Sequence, residues 1–300
     1  MPRHFSRWMR ALALTLAASG WTLLLAPSAS AQDATRLRAA LATLETGANG
    51  RLGLALISGR GALRFAYRGN EPFPFCSTFK LLLVGSVLQR SMNEPRLLSR
   101  HIDYTEQDVL AYAPITRQNL ATGLSVDALC AAALQYSDNT ATNLLLDVLG
   151  GVKPVGRFAR RLGDRAFRLD RREPDLNSAI PGDPRDTTTP AAMATDLRTL
   201  VFGDVLAPPQ RQRFTHWIKG NTTGAASIRA GVPSDWSVGD KTGSGAYGTT
   251  NDVAVLWPPQ SEPLVLAVFF TQPDQGATPN RDVLAAATRL VLSTFSHSRP

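Results

Sequence analysis

Cys76-Ser77-Thr78-Phe79-Lys80-Leu81-Leu82-Leu83-Val84, residues 76–84, sets a serine and a lysine three positions apart at the head of an apolar run. The run predicts a helix from Phe79 to Arg90, on which Ser77 and Lys80 share one face, a turn apart. A helix N-terminus directs unpaired N–H groups and partial positive charge toward an incoming oxyanion. A serine hydroxyl is a weak nucleophile until a neighbouring base takes its proton, and a lysine or carboxylate can be that base. Alone the spacing is weak evidence, because Ser-x-x-Lys arises about once by chance in a chain of this size. An ordinary helix start reads the same way.

Two further triplets change the weight of the first. Ser137-Asp138-Asn139 stands before the apolar stretch Thr140 to Leu149, where Asp and Asn would serve as a plain helix cap. Lys241-Thr242-Gly243 follows a strand signal and precedes Ser244-Gly245, a pattern a turn between edge strands would also give. In this order and spacing the three are far more specific than any one of them. A fourth stretch, Arg171-Arg172-Glu173-Pro174-Asp175-Leu176-Asn177, adds a carboxylate and an amide four residues apart.

With these four motifs the chain resembles the class A serine β-lactamases, from about Leu37 to Leu292. The resemblance makes residues 171–177 the start of an Ω-loop closed by Asp186, and Tyr112 an aromatic gatepost at the cleft mouth. It implies Ser77 as nucleophile, with an oxyanion hole from its own N–H and that of Ser244. Lys80 is then the proton-transfer partner of Ser77, and Ser137 relays a proton to the departing ring nitrogen. Asn139 holds the substrate's acylamino group, and Lys241, Thr242 and Ser244 hold its carboxylate. Glu173 and Asn177 hold the water that releases the acyl-enzyme. Whether Lys80 or Glu173 takes the proton during acylation stays open. Arg171, Asp186 and Asp138 have structural roles.

The surrounding chain predicts an α+β fold. Leu52, Leu54 and Leu56 alternate as in a strand, with a second strand through Phe65 and Tyr67. Trp236 to Val238, Asp252 to Trp257 and Leu264 to Thr271 read as strands, and Val283 to Leu292 as a closing helix. The middle predicts helices at Phe79 to Arg90, Val126 to Gln135 and Thr140 to Leu149, separated by loops bearing proline and glycine. The economical arrangement is an antiparallel sheet from both chain ends (about 32–71 and 221–300), flanked by helices, beside a mainly helical lobe (about 72–220). A cleft between two such lobes suits a small-molecule site.

Residues 1–31 read as a secretory leader: Arg3, Arg7 and Arg10, an apolar run from Ala11 to Ala26, then Ala29-Ser30-Ala31 before the cleavage point. Export to the periplasm or medium is expected, with residues 32–300 forming one catalytic domain. Removing the leader's three arginines takes the net charge from +8 to +5. That excess reads as scattered surface charge favouring solubility, without the basic, aromatic-interleaved stripe of a nucleic-acid binder. Four scattered histidines and two cysteines offer no ligand spacing for a metal. No cofactor is expected, and neither nucleic acid nor, once the leader is gone, a membrane is an expected partner. The expected state is a monomer acting on small β-lactams.

Cys76 and Cys130 correspond, by the resemblance, to halves of two different bridges whose second positions are Gly245 and Val84 here. Two free thiols are therefore expected, and carbapenem turnover is not. Ser244-Gly245 and Tyr247 to Asp252 resemble the cefotaxime-hydrolysing branch, so penicillins and cephalosporins, including oxyimino forms, are the expected substrates. The nearest rival is a penicillin-binding D,D-peptidase, which acylates but scarcely releases β-lactams. Glu173-Pro174-Asp175-Leu176-Asn177 argues against it. A catalytically inert β-lactam or cell-wall sensor would lose a catalytic residue or keep a membrane helix, and neither is seen.

Overall fold

Leu52, Leu54 and Leu56 belong to a strand whose intervening residues are equally apolar, and the structure shows why. Strand β1 (Arg51–Ser58) has both faces covered, so its alternation sorts side chains between two cores rather than between core and water. Leu52, Leu54 and Leu56 pack with Leu37 and Leu41 of helix α1 (Ala29–Gly47) on one face. Ala55 and Ile57 join the larger core on the other. The computed structural model describes residues 29–295. Residues 1–28 of the expected leader lie outside the described residues, and the expected cleavage point falls in the first turn of α1.

Strand β2 (Leu63–Tyr67) pairs with β1 at one edge, and Phe73–Pro74 forms a short strand, β3. A single 3-10 turn, Cys76–Phe79, leads into helix α2 (Lys80–Ser91). Ten of its twelve residues are buried, as expected of a helix that is apolar on most sides. The short strands β4 (His101–Ile102) and β5 (Leu124–Ser125) pair with each other. Helices α3 (Val126–Gln135), α4 (Asn139–Leu149) and α5 (Lys153–Leu162) follow. Strand β6 (Thr187–Thr188) pairs with β3 and leads to α6 (Pro190–Phe202) and α7 (Pro208–Lys219). The chain ends with β7 (Ser237–Ser244), β8 (Thr250–Trp257), β9 (Leu264–Thr271) and α8 (Arg281–Phe295).

The main sheet has the order β2-β1-β9-β8-β7, antiparallel throughout. The fold is α+β. Helices α1 and α8 cover one face of the sheet, whereas α6 covers the other face although it lies within the central, helical stretch of sequence. The sequence reading leaves α5, α6 and α7 unplaced because prolines there suggest loops. Pro190 and Pro208 instead occupy the first helical position, where the missing N–H costs nothing and φ is already set. Thr189 caps α6 by accepting the Ala192 N–H at 3.2 Å. Lys241-Thr242-Gly243 lies inside β7, not in a turn.

Candidate active site

Ser77 sits on the 3-10 turn before α2, after Cys76, whose φ is +48°. Its Oγ donates to Glu173 Oε1 at 3.2 Å. One turn on, Lys80 is fully buried. Its Nζ donates to the Ser137 carbonyl at 2.8 Å, to Ser137 Oγ at 3.3 Å and to Asn139 Oδ1 at 2.7 Å. The same ammonium stands 3.0 Å from Glu173 Oε1. Burial pulls the Lys80 pKa down, and the Glu173 carboxylate opposes that pull. The lysine thus shares its proton-accepting partner with the serine it follows.

Ser137 enters this arrangement through a left-handed backbone, φ +58°, that swings its side chain back over α2. Asp138 holds the turn. It caps α4 through Ala141 N at 2.8 Å and accepts from the N–H groups of Ile115 and Thr116, each at 2.9 Å. Asn139 N–H donates to the Tyr112 carbonyl at 3.0 Å, so the loop carrying Tyr112 is fastened to the start of α4. The Tyr112 ring is 52% exposed at the cleft mouth.

Glu173 is 4% exposed, held above Ser77 by two asparagines. Asn143 donates to the Glu173 carbonyl at 2.9 Å and accepts its N–H at 3.2 Å. Asn177 Nδ2 donates to Glu173 Oε2. The loop's neck is closed by Asp186, which accepts Arg171 Nε at 2.6 Å and the N–H groups of Asp170 and Arg171 at 2.8 and 3.0 Å. Sequence reading missed Asn143. Its only signal is an asparagine inside the apolar helix α4, where a side-chain amide needs a partner.

Strand β7 forms the opposite wall. Lys241 Nζ, fully buried, donates to Ser137 Oγ at 3.0 Å and to the Thr242 carbonyl at 2.8 Å. Burial, then the Lys80 charge, lowers the Lys241 pKa to about 7. Ser137 Oγ therefore bridges two lysines. Thr242 Oγ1 lies 2.5 Å from Thr223 Oγ1, and Ser244 is exposed at the strand end. The strand approaches this closely because two positions lack a Cβ. One on Gly243 would meet the Phe75 carbonyl at 2.8 Å and Ser77 N at 3.1 Å; one on Gly245 would meet the Asn177 carbonyl at 2.6 Å and Cys76 Sγ at 2.7 Å.

These walls enclose a cavity of ≈ 450 Å³ lined by Ser77, Tyr112, Ser137, Asn139, Asn177, Thr242 and Ser244. Lys80, Glu173 and Lys241 stand directly behind it, so all ten expected site residues are brought together. Arg281, at the start of α8, and Thr223 also line it and were not anticipated; their signals, one arginine and one threonine, are indistinguishable from surface residues. Behind Lys241 lies a buried acid pair, Asp240 and Asp252. Asp240 accepts Arg229 Nε at 2.6 Å and Asn221 Nδ2 at 2.7 Å. Burial raises both carboxyls, and the Asp240 charge raises Asp252 further. A larger cavity of ≈ 620 Å³ lies elsewhere, between the start of β1 and residues 179–184, and is lined by no serine, cysteine or lysine. Both cysteines are buried and free. No group of metal-ligating side chains occurs among the described residues.

A serine, two lysines and a carboxylate around one cleft are matched by the comparisons. A family model described as the β-lactamase enzyme family matches residues 36–295. A β-lactamase of Proteus vulgaris is 52% identical over 258 residues, covering 86% of this chain and 95% of that protein. The CTX-M-8 β-lactamase of Citrobacter amalonaticus is 50% identical over 295 residues, covering 98% of this chain and all (100%) of that one. Among solved structures, the β-lactamase of Desulfarculus baarsii superimposes with a TM-score of 0.84 at 50% identity, covering 87% of this chain and 97% of that one. A variant of a reconstructed Gram-negative ancestral class A β-lactamase gives 0.84 at 49%, covering 88% and 99%. The motifs, the cleft they line and these likenesses all agree: the chain belongs to the β-lactamase enzyme family, among its class A serine members.

Proposed function

We propose that the protein hydrolyses the amide bond of penicillins and cephalosporins through an acyl-enzyme on Ser77, conferring β-lactam resistance. The observation that carries the turnover reading is the position of Glu173 Oε1, within reach of both Ser77 Oγ and Lys80 Nζ. In acylation Ser77 Oγ attacks the ring carbonyl, its proton passing to the Glu173–Lys80 pair. The N–H groups of Ser77 and Ser244 receive the oxyanion. The C–N bond breaks, and Ser137, hydrogen-bonded to both lysines, delivers the proton that the ring nitrogen needs. In deacylation Glu173 takes a proton from water, the hydroxide attacks the ester, and Ser77 leaves with a proton regained. Asn177 supports this step: its Nδ2 holds Glu173, and its buried Oδ1 has no protein partner, leaving an acceptor for the attacking water.

Asn139 suits the acylamino group of the substrate, although its Oδ1 is engaged by Lys80, so Nδ2 is the atom offered. Lys241 with Thr242 and Ser244 suits the substrate carboxylate, and Arg281 adds charge at the same end. The protein acts as an exported monomer, periplasmic or secreted. A chromogenic cephalosporin tests the reading. Many turnovers support it, whereas a single stoichiometric burst would point to a D,D-peptidase. Glu173→Ala should accumulate acyl-enzyme with a penicillin, seen as added mass; rapid complete turnover by that variant would remove the water-activating role.

A further inference from the structure

Helix α5 and the turn after it carry Lys153, Arg157, Arg160, Arg161 and Arg165, all exposed. The opposite side of the helix, Val155, Phe158 and Ala159, is fully buried. Elsewhere Arg51, Arg64, Arg68, Arg90, Arg172 and Arg185 each have a carboxylate within 3.3 Å. Among the described residues, none of the five α5 cations forms an ion pair. Arg161 donates to Gln89 at 2.7 Å, a neutral partner, whereas Arg160 donates to the carbonyls of Asp164 and Phe167 and acts on the buried Asp196. The charge left without an acidic neighbour is therefore that of Lys153, Arg157, Arg161 and Arg165. Of the acids around this helix, Asp196 faces Arg160 and the others are engaged elsewhere. Glu94 pairs with Arg90 and Asp147 with Arg172, while Asp164 is buried and accepts the N–H groups of Ala166 and Phe167.

Helix stability does not explain the set. Arg160 and Arg161 in the last turn complement the helix dipole, but Lys153 in the first turn opposes it, and no acid is present there. Five cations thus stand together on one exposed stretch of the surface. That face has no stacking platform for bases, because Phe158 and Phe167 are both fully buried. Its cations run along three turns of exposed helix, which fits an extended array of anionic head groups.

We infer that the α5 face docks the folded protein peripherally on an anionic phospholipid surface. Insertion has no part in this, since no helix among the described residues is long and apolar enough to cross a membrane. Binding is electrostatic, reversible and screened by salt. The test uses residues 32–300, since solved relatives are covered to 97 and 99% by 87 and 88% of this chain and fold at that length. Sedimentation with phosphatidylglycerol/phosphatidylcholine vesicles should show binding that pure phosphatidylcholine lacks and 0.5 M salt abolishes. Each cation near such a surface contributes about fivefold. Arg157→Gln with Arg161→Gln and Arg165→Gln should therefore weaken binding roughly a hundredfold, with cephalosporin turnover unchanged as proof of folding. A control removing Arg36, Arg60 and Arg64, an equal charge change at the sheet end, should stay within about threefold. Equal losses in both variants, equal binding to neutral vesicles, or tighter binding to a short DNA duplex would overturn the inference.

Discussion

Lys241 carries its charge into a site where burial and Lys80 both work against it, and the result is a pKa of about 7. The sign follows directly. As pH rises through that value the lysine loses its proton, and with it the attraction proposed above for a substrate carboxylate. The ratio kcat/KM, which reports on the free enzyme, should fall on the alkaline side from near pH 7. Lys241→Arg keeps its charge over the whole range. Its alkaline limb should therefore move up by at least about one pH unit, measured with a penicillin across pH 5–10. An unmoved limb assigns the titration to another group. Asn143 makes a different residue-scale prediction, because its side chain hydrogen-bonds the Glu173 backbone and not the carboxylate. Asn143→Ala should slow deacylation roughly ten- to hundredfold through misplacement of Glu173, with acylation less affected. Pre-steady-state kinetics separates the two steps, and equal slowing of both would mean a general loss of structure.

At the scale of elements, the site depends on how closely β7 and residues 171–177 approach the turn that bears Ser77. Gly245 is the point of contact, and Cys76 Sγ lies 2.7 Å from where its Cβ would be. The two positions are thus within reach of a disulfide that the native sequence does not make. Gly245→Cys expressed in an oxidising compartment should give one titratable thiol, Cys130, where the parent gives two. It should also push residue 177 away, since the same Cβ would press on the Asn177 carbonyl at 2.6 Å, and so alter the ratio of cephalosporin to penicillin rates. Two free thiols in the variant would show that the close approach is not a bonding geometry. The motifs were legible at this scale, and α2, α3, α4, β8 and β9 lie close to where periodicity puts them. Helices α5 to α7 were not, because prolines that start helices look in sequence like prolines that end them.

For the molecule as a whole, buried acids set how stability varies with pH. Asp196 of α6 is 1% exposed, and burial, then the neighbouring Asp164, raises its pKa well above the usual carboxylate value. Arg160 is the one charge opposing this shift. Asp164 Oδ2 and Asp196 Oδ2 have no donor from the protein. A raised carboxyl pKa means that the folded form keeps a proton which the unfolded chain loses above about pH 4. Stability from this group is therefore present at low pH and is lost as pH rises toward the folded value. Asp196→Asn cannot ionise and can donate to Asp164. Its Tm should gain on the parent between pH 5 and pH 8, by about 3 °C for each kcal/mol relieved. A constant difference across that range would mean that Asp196 does not titrate there.

The sequence by itself named the chemical groups of the candidate site. Ser77 and Lys80 are neighbours on one helical turn, and the triplets at 137–139 and 241–243 and the stretch 171–177 name the remaining groups, because local spacing and residue type are readable without a fold. What it could not determine is which groups meet. Glu173 is 96 positions from Ser77 in the chain, and Lys241 is 104 from Ser137. Only packing puts them within hydrogen-bond distance. The clasp of Asn143, the paired acids at 240 and 252 and the neighbouring acids Asp164 and Asp196 have no local signature at all. Each exists because burial removes water and leaves a polar group to find its partner across the fold. The cations of α5 are already neighbours in the chain, and packing adds only the burial of Val155, Phe158 and Ala159 that turns them outward.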